Sequence, residues 1–164
     1  MSLATLTQLL KDAIGLDATS IGASAVERAV RERQGACNLT SVDAYTEHVQ
    51  RSATELHQLI EAVVVPETWF FRDGEPFGAL AREAAREWLR MGQEGLYRLL
   101  SVPCATGEEP YSMAMALLES GLAPSRFRVD AVDISERVLA VARRAVYGRI
   151  SFRGADQTFR DRFF

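Results

Sequence analysis

The chain has 164 residues, of which 48% are apolar and 25% are charged, and its formal net charge is −3. This negative balance argues against general nucleic-acid binding, which depends on neutralising phosphates with Lys and Arg. No apolar run is long enough to span a bilayer, and the N-terminus lacks the pattern of a secretory signal. We therefore expect a cytoplasmic protein that binds neither nucleic acid nor membrane.

The first 64 residues carry a helical period of apolar residues throughout. One stripe contains Leu6 and Leu10, and a second helix is predicted after a capping box formed by Ser24 and Glu27. A third helix is predicted from Ser41 to Gln50, and a fourth after the capping box of Ser52 and Glu55. Residues 1–64 are therefore predicted to form an all-α domain.

Residues 65–90 are predicted to be a linker followed by a connecting helix. Pro66 ends the helical domain, and the aromatic run Thr68 to Arg72 is expected to pack between the domains. A helix then opens with Pro76 near its first turn and continues to about Arg90. The loop Gly92 to Gly95 leads into the next element.

The segment from Leu96 to Ser112 has the layout of a nucleotide-binding loop without phosphate-binding residues. An apolar strand is followed by a small-residue turn and a helix, but the turn contains one glycine, Gly107, and no lysine. The adjacent carboxylates of Glu108 and Glu109 repel a pyrophosphate. They suit a ligand with hydroxyls and a positive charge, and S-adenosylmethionine is the common cofactor of that description.

A second acidic residue lies at the end of the next predicted strand. Phe127 to Ile134 is predicted to be that strand, Asp133 falls at its carboxyl end, and Ser135 caps the following helix. An acidic residue at this point of a βαβ unit can accept hydrogen bonds from both ribose hydroxyls. Taken alone, such an Asp is more often a helix cap or loop residue, whereas both signals together favour an adenosine-type cofactor.

The order of the elements predicts an α/β protein in which the all-α domain precedes a doubly wound parallel sheet. Residues 91–164 supply two strands, and two parallel strands do not make a stable buried sheet. We therefore expect the chain to be the first half of a longer protein. Residues 1–164 alone are expected to be inactive, and to self-associate through the half-sheet or leave it poorly ordered.

Three segments resemble the CheR family of chemotaxis protein-glutamate O-methyltransferases. They are Thr68-x-Phe70-Phe71-Arg72, then ATGEEPYS from Ala105 to Ser112, then Asp133-Ile134. The resemblance extends over the whole chain, and VPETWFFR is most similar to CheR-like members of Wsp-type surface-sensing pathways. It implies the first half of a Rossmann-like methyltransferase domain, S-adenosylmethionine as cofactor with S-adenosylhomocysteine as product, and glutamates on the cytoplasmic helical bundle of a chemoreceptor as substrate.

The resemblance also implies roles for individual residues. Thr68 and Arg72 would contact the methionine end of the cofactor, Glu109 its amino group and Asp133 the ribose hydroxyls. Arg72 would also orient the incoming carboxylate, which makes it the candidate catalytic residue. Pro66 departs from the family, which often has Asn at that position. From the sequence alone, a linker arginine paired with Asp73 or Glu75 is the more frequent role for Arg72, and the resemblance reverses that preference.

A receptor-docking surface is implied on the helix after Ser24, where Arg28, Arg31 and Arg33 lie. The alternative is a solvated face of mixed charge. Two further functions stay open at this point. One is a binding module that holds cofactor and receptor without chemistry, and the other is an unrelated Rossmann-type nucleotide binder.

Cysteine and histidine spacing predicts no metal site. Cys37 and Cys104 lie far apart without a CxxC pattern, so neither a disulfide framework nor a zinc site is indicated. His48 and His57 have no ligand partners at metal spacing and are interpreted as ordinary surface or half-buried residues. Cys104 is interpreted as a small buried residue rather than a nucleophile.

Overall fold

The computed structural model describes residues 3–64, 66–90, 95–154 and 157–164. The chain divides into two compact units, residues 1–65 and residues 66–164. The loop predicted from Gly92 to Gly95 lies outside the described residues except for Gly95, as does Val65 in the linker.

The first unit is all helical. Its helices are α1 (Leu3–Ile14), α2 (Ala18–Ile21), α3 (Ala23–Ala36), α4 (Val42–Arg51) and α5 (Ala53–Val63). Their apolar stripes meet in one core, because apolar residues three and four positions apart lie on the same face of a helix. The buried members of this core are Leu6, Leu10, Val26, Ala29, Val30, Tyr45, Val49, Leu59, Ile60 and Val63.

Local capping signals fix three of the helix starts in this unit. The side chains of Asp17, Ser41 and Ser52 each accept a hydrogen bond from the first turn of α2, α4 and α5, respectively. The predicted capping box of Ser24 and Glu27 is wrong. The N-cap of α3 is Gly22, two residues before Ser24, and the helix begins at Ala23. Gly22 has a φ of 84°, and no side chain caps this helix start.

The second unit contains the connecting helix and a small parallel sheet. Its elements are α6 (Glu75–Arg90), β1 (Tyr97–Ser101), α7 (Glu108–Glu119), a 3-10 turn (Pro124–Arg126), β2 (Phe127–Ala131), α8 (Glu136–Arg144), a 3-10 turn (Arg149–Phe152) and α9 (Arg160–Phe163). Strand β2 is shorter than predicted because it ends at Ala131. An all-α domain followed by the start of a doubly wound α/β domain is thus the fold class expected from the sequence.

The two strands pair in parallel, with Leu99 opposite Val129. One face of this sheet packs on α6 and α7, where Ala84 and Leu117 are fully buried. The opposite face is open to solvent in this structure, and Leu100 is 58% exposed there.

A cluster of aromatic rings joins the start and the end of the second unit. Phe70 is buried, and its ring centroid lies 4.8 Å from Tyr147 and 5.1 Å from both Phe152 and Phe164. Phe159 completes the buried part of the cluster. The sequence pattern after Tyr147 predicts no element, whereas the structure uses these residues to close a core. The ring of Phe70 is thus partnered inside the second unit.

Candidate functional site

The carboxyl ends of β1 and β2 form one edge from which two loops leave together. Beyond the last strand pair, the Val132 N–H donates to the Ser101 carbonyl at 3.0 Å, and the Cys104 N–H donates to the Val132 carbonyl at 2.9 Å. The loop before α7 and the loop before α8 are therefore fixed side by side. This is the edge at which open α/β sheets bind their ligands.

Asp133 lies in the second of these loops and holds the first loop in place. One carboxylate oxygen accepts from the Ala105 N–H at 2.8 Å, and the other accepts from the Ser135 N–H at 2.9 Å. An ionised carboxylate has about four acceptor positions, so each oxygen keeps one for a further donor. The half-buried carboxylate can thus bind two hydroxyls without losing its structural bonds.

The two adjacent glutamates at the start of α7 have different surroundings. Glu109 is half-buried, and one of its oxygens accepts from the Ser101 hydroxyl at 2.7 Å. Glu108 is buried and accepts from the hydroxyls of Thr106 at 2.6 Å and Ser151 at 2.7 Å. From the sequence, both carboxylates are expected to face the ligand. In the structure, Glu108 is buried and binds two hydroxyls of the second unit, whereas Glu109 lies at the strand edge.

The buried thiol of Cys104 lies in the first of these loops, the one before α7. Burial raises the pKa of this thiol above its ordinary value, and the negative charges of Asp133 and then Glu109 raise it further. The thiol is fully buried and protonated at neutral pH, which agrees with a packing role rather than that of a nucleophile.

Gly107 permits the close approach of α8 to the turn before α7. Its φ is 100°, and a Cβ placed there would lie 2.7 Å from the Tyr147 hydroxyl oxygen and 2.8 Å from the Ala142 Cβ. The same hydroxyl donates to the Thr106 carbonyl at 2.9 Å. The turn is thus packed directly against α8 and Tyr147.

The linker is attached to the same helix that carries Glu108 and Glu109. The Phe71 N–H donates to the Ser112 hydroxyl at 2.9 Å, and the Phe70 N–H donates to the Ser151 carbonyl at 2.9 Å. Because Ser112 lies one turn into α7, the linker is anchored beside the beginning of this helix. Neither Ser112 nor Ser151 was singled out from the sequence, since the linker residues that they bind lie at least 41 residues away along the chain.

Within this linker Thr68 is half-buried and Arg72 is exposed. The Arg72 guanidinium donates to the Glu67 carbonyl at 2.7 Å, lies 4.8 Å from the Trp69 ring centroid and is 3.8 Å from the Asp73 carboxylate. These contacts match the alternative interpretation of Arg72 as a linker arginine. The structure therefore brings Glu109 and Asp133 together and anchors the linker nearby, while the Arg72 side chain lies along its own linker.

A cavity of about 650 Å³ lies elsewhere in the second unit. Aromatic rings line much of it, among them Trp69, Phe77 and Phe159. Its lining includes none of the four residues predicted to bind the cofactor.

The three arginines predicted to dock a receptor are not equivalent. Arg28 and Arg31 are exposed on α3. Arg33 instead donates to both oxygens of the buried Glu55 carboxylate, at 3.0 Å and 2.8 Å, and its side chain is only 22% exposed. The interpretation of Arg33 as a docking residue is corrected on this ground, because its guanidinium already has a partner inside the unit.

No helix in the part of the chain that the structure describes is both long and apolar enough to cross a membrane.

Comparisons with known proteins match both units to one family. Residues 1–64 match the domain described as "CheR methyltransferase, all-alpha domain", and residues 66–164 match "CheR methyltransferase, SAM binding domain". The chain is 52% identical over 157 residues to the "Probable biofilm formation methyltransferase WspC" of Pseudomonas aeruginosa, and 51% identical to the protein of the same name in Pseudomonas putida.

In both comparisons the aligned region is 96% of this chain but 37% of the relative. A more distant relative is the "Chemotaxis protein methyltransferase" of Salmonella typhimurium, which is 39% identical over 98 residues, or 59% of this chain and 32% of that protein. The chain therefore spans a little over a third of the length of these two curated Pseudomonas relatives.

Proposed function

The chain belongs to the CheR methyltransferase family, and from this we propose that it takes part in transferring a methyl group from S-adenosylmethionine to glutamate side chains on the cytoplasmic helical bundle of a chemoreceptor-type protein. The observation that carries the proposal is the strand edge at which the Ser101 hydroxyl donates to Glu109 and the Ala105 N–H donates to Asp133. Two carboxylates there favour a cationic ligand that carries hydroxyls, and they disfavour a dinucleotide pyrophosphate.

In the proposed binding mode, the second acceptor position of each Asp133 oxygen takes one ribose hydroxyl. Glu109 accepts from the ammonium group of the methionine part, and the Ser101 hydroxyl fixes its orientation. Thr68 and Arg72 contact the other end of the methionine part after the guanidinium leaves the Glu67 carbonyl. That contact is an exposed hydrogen bond, so it is replaced at little cost.

The proposed reaction is a displacement in which a glutamate oxygen attacks the methyl carbon on sulfur. The bond from this carbon to sulfur breaks, and the sulfonium leaves as a neutral thioether. The substrate carboxylate is ionised at neutral pH, so no general base is needed. Alignment and exclusion of water supply the rate enhancement, and Arg72 aligns the carboxylate by a charge-assisted hydrogen bond.

Cofactor binding is tested by isothermal titration of the protein, at the full length of its gene, with S-adenosylhomocysteine. We expect Asp133→Asn and Glu109→Gln each to weaken binding by about 1.5–3 kcal/mol, because each loses a charge-assisted hydrogen bond. Asp130→Asn is the matched control, since Asp130 lies on the solvent face of β2 and binds Arg98 and Arg128. Unchanged affinity in both site variants would refute the binding mode, and tighter binding of NAD than of S-adenosylhomocysteine would favour a general nucleotide binder.

A second candidate is a module that binds the cofactor and the receptor but performs no chemistry. It is favoured by the contacts of Arg72 with Glu67 and Trp69, which hold its guanidinium along the linker. The two functions are separated by transfer of a radiolabelled methyl group to a purified receptor bundle, using the protein at the full length of its gene. We expect transfer to fall about 10²-fold in Arg72→Ala and to stay normal in Arg86→Ala, whose arginine pairs with Glu83 on the surface.

Receptor contact is proposed through Arg28 and Arg31 on α3. An acidic helical bundle would be attracted to these exposed charges, and such attraction weakens as salt screens it. Charge reversal of both residues should lower receptor affinity and its salt dependence, whereas reversal of Arg51, which is exposed on α4, should have a smaller effect. Equal effects of the two reversals would contradict the assignment of the docking face to α3.

A further inference from the structure

Three side chains that differ in chemistry converge in the first unit, far apart in sequence. Cys37 caps the end of α3, His48 lies on α4 and Glu55 lies on α5. One ligand atom from each lies within 4.8 Å of the other two, which makes them a candidate metal-binding group among the described residues. The sequence spacing gave no indication of it, because three different helices supply the ligands.

We propose that Cys37, His48 and Glu55 bind a zinc ion that joins α3, α4 and α5. A thiolate sulfur, an imidazole nitrogen and a carboxylate oxygen are the three donor types that zinc accepts, with a fourth tetrahedral position left for water. The side chain of His48 is exposed, so the site is reached from solvent and the imidazole is able to turn toward the ion.

The carboxylate of Glu55 is already held in place by hydrogen bonds from Arg33 and Tyr45, as the carboxylate of a metal ligand is held by its neighbours. One of its oxygens accepts from Arg33 at 3.0 Å and from the Tyr45 hydroxyl at 2.8 Å, and the other accepts from Arg33 at 2.8 Å. A carboxylate offers about four acceptor positions, and these bonds occupy three. The fourth remains for the ion, and the donors that fill the other three fix the carboxylate's orientation.

The sulfur of Cys37 lies within 4.8 Å of a carboxylate oxygen of Glu55. Binding of zinc replaces the thiol proton, which leaves to solvent, by a bond between sulfur and the metal. The charged groups around the ion are then the Cys37 thiolate, the Glu55 carboxylate and the Arg33 guanidinium, and their sum of −1 attracts a divalent cation in spite of the arginine.

The three ligand atoms must move closer together to bind one zinc ion. Bonds of about 2.0–2.3 Å to a tetrahedral zinc ion place two ligand atoms about 3.3–3.8 Å apart, against the limit of 4.8 Å in the structure. Cys37 follows the last turn of α3 and His48 is exposed, so both have freedom to approach Glu55. A shift of about 1 Å in side-chain position is sufficient.

Cobalt titration of the chain tests the proposal, because Co²⁺ substitutes for zinc and reports its ligands by absorption. After removal of metal by a chelator, we expect a thiolate-to-cobalt charge-transfer band and the visible bands of a four-coordinate ion, both abolished by one equivalent of Zn²⁺. Cys37→Ser should remove the charge-transfer band. His48→Gln should weaken zinc binding by more than about 10-fold. Loss of a residue that only hydrogen-bonds to a metal ligand already costs about 10-fold or more, and loss of the ligand itself should cost more.

Two variants serve as controls. His57→Gln replaces the other histidine, which pairs with Glu61 on α5, and Cys104→Ala replaces the other cysteine; both should bind cobalt as the parent does. Circular dichroism of each variant without metal verifies that it is folded. The proposal is overturned if saturating Co²⁺ gives no charge-transfer band, if the band persists in Cys37→Ser, or if His48→Gln and His57→Gln bind zinc equally.

Discussion

The substitution Gly107→Ala should destabilise the second unit through packing as well as through backbone strain. Gly107 has a φ of 100°, and an added Cβ would meet the Tyr147 hydroxyl oxygen at 2.7 Å and the Ala142 Cβ and Cα at 2.8 Å and 3.1 Å. The contact with the Ala142 backbone cannot be relieved by rotating a side chain. Helix α8 would therefore have to move away from the turn.

Gly121 provides a matched control. Gly107 precedes the first residue of α7, and Gly121 follows the other end of α7. Its φ is 91°, and a Cβ added there meets nothing within 4 Å. For Gly121→Ala we expect a cost of about 1–2 kcal/mol from the left-handed backbone, reduced by about 0.4–1 kcal/mol because the unfolded chain loses freedom. Gly107→Ala carries the same backbone terms and, in addition, an overpacking cost of about 1–3 kcal/mol.

The assay is denaturant unfolding followed by tryptophan fluorescence. Both tryptophans of the chain, Trp69 and Trp88, lie in the second unit, so selective excitation reports this unit while circular dichroism follows all the helices. Gly107→Ala should be less stable than Gly121→Ala by about 1–3 kcal/mol, and adding Ala142→Gly should restore part of the difference. Equal stability of the two alanine variants would refute the close approach of α8 to Gly107.

Two further predictions concern buried polar groups. Ser112→Ala removes the acceptor of the Phe71 N–H and should lower the free energy of unfolding by about 1–3 kcal/mol, measured by tryptophan fluorescence. Ser120→Ala should cost less because Ser120 is exposed at the end of α7. A smaller loss of stability in Ser112→Ala than in Ser120→Ala would contradict the anchoring of the linker. Burial favours a raised pKa for Glu55, but hydrogen bonds from Arg33 and Tyr45 outweigh it and hold the pKa below 4.5. The contribution of this carboxylate to stability is thus complete above that value and is lost as the pH falls through the folded-state pKa. Acid unfolding followed by circular dichroism should therefore be less steep in Glu55→Gln than in the parent. Identical curves would show that the Glu55 carboxylate does not drive acid unfolding.

Much of the helical architecture could be predicted because its signals are local. Ser41, Ser52 and Ser135 are each followed within three residues by the backbone N–H that they cap, so a short window of sequence contains both partners. Ser24 carried the same signal and failed, since Gly22 supplies the turn into α3 from a conformation that other residues rarely adopt. The parallel sheet likewise followed from two apolar runs separated by a helix.

The parts that escaped prediction depend on partners distant in sequence. Arg33 was assigned to a docking face because nothing near it in sequence shows that Glu55, 22 residues away, binds it. Glu108 and Glu109 are neighbours of the same type, and the inward position of Glu108 depends on the hydroxyls of Thr106 and of Ser151, the latter 43 residues away. The roles proposed for Thr68, Arg72, Glu109 and Asp133 in ligand binding remain predictions.

The aromatic cluster also determines when the second unit can acquire its tertiary structure during synthesis. Phe70 emerges from the ribosome more than 80 residues before Phe152, Phe159 and Phe164, with which it packs, whereas the helices of the first unit contact one another over short separations. Contacts between distant residues form slowly because a long loop must close first. The first unit is thus free to fold while the chain is still being extended, and the nascent second unit exposes Phe70 to chaperones until the last of its partners has been added.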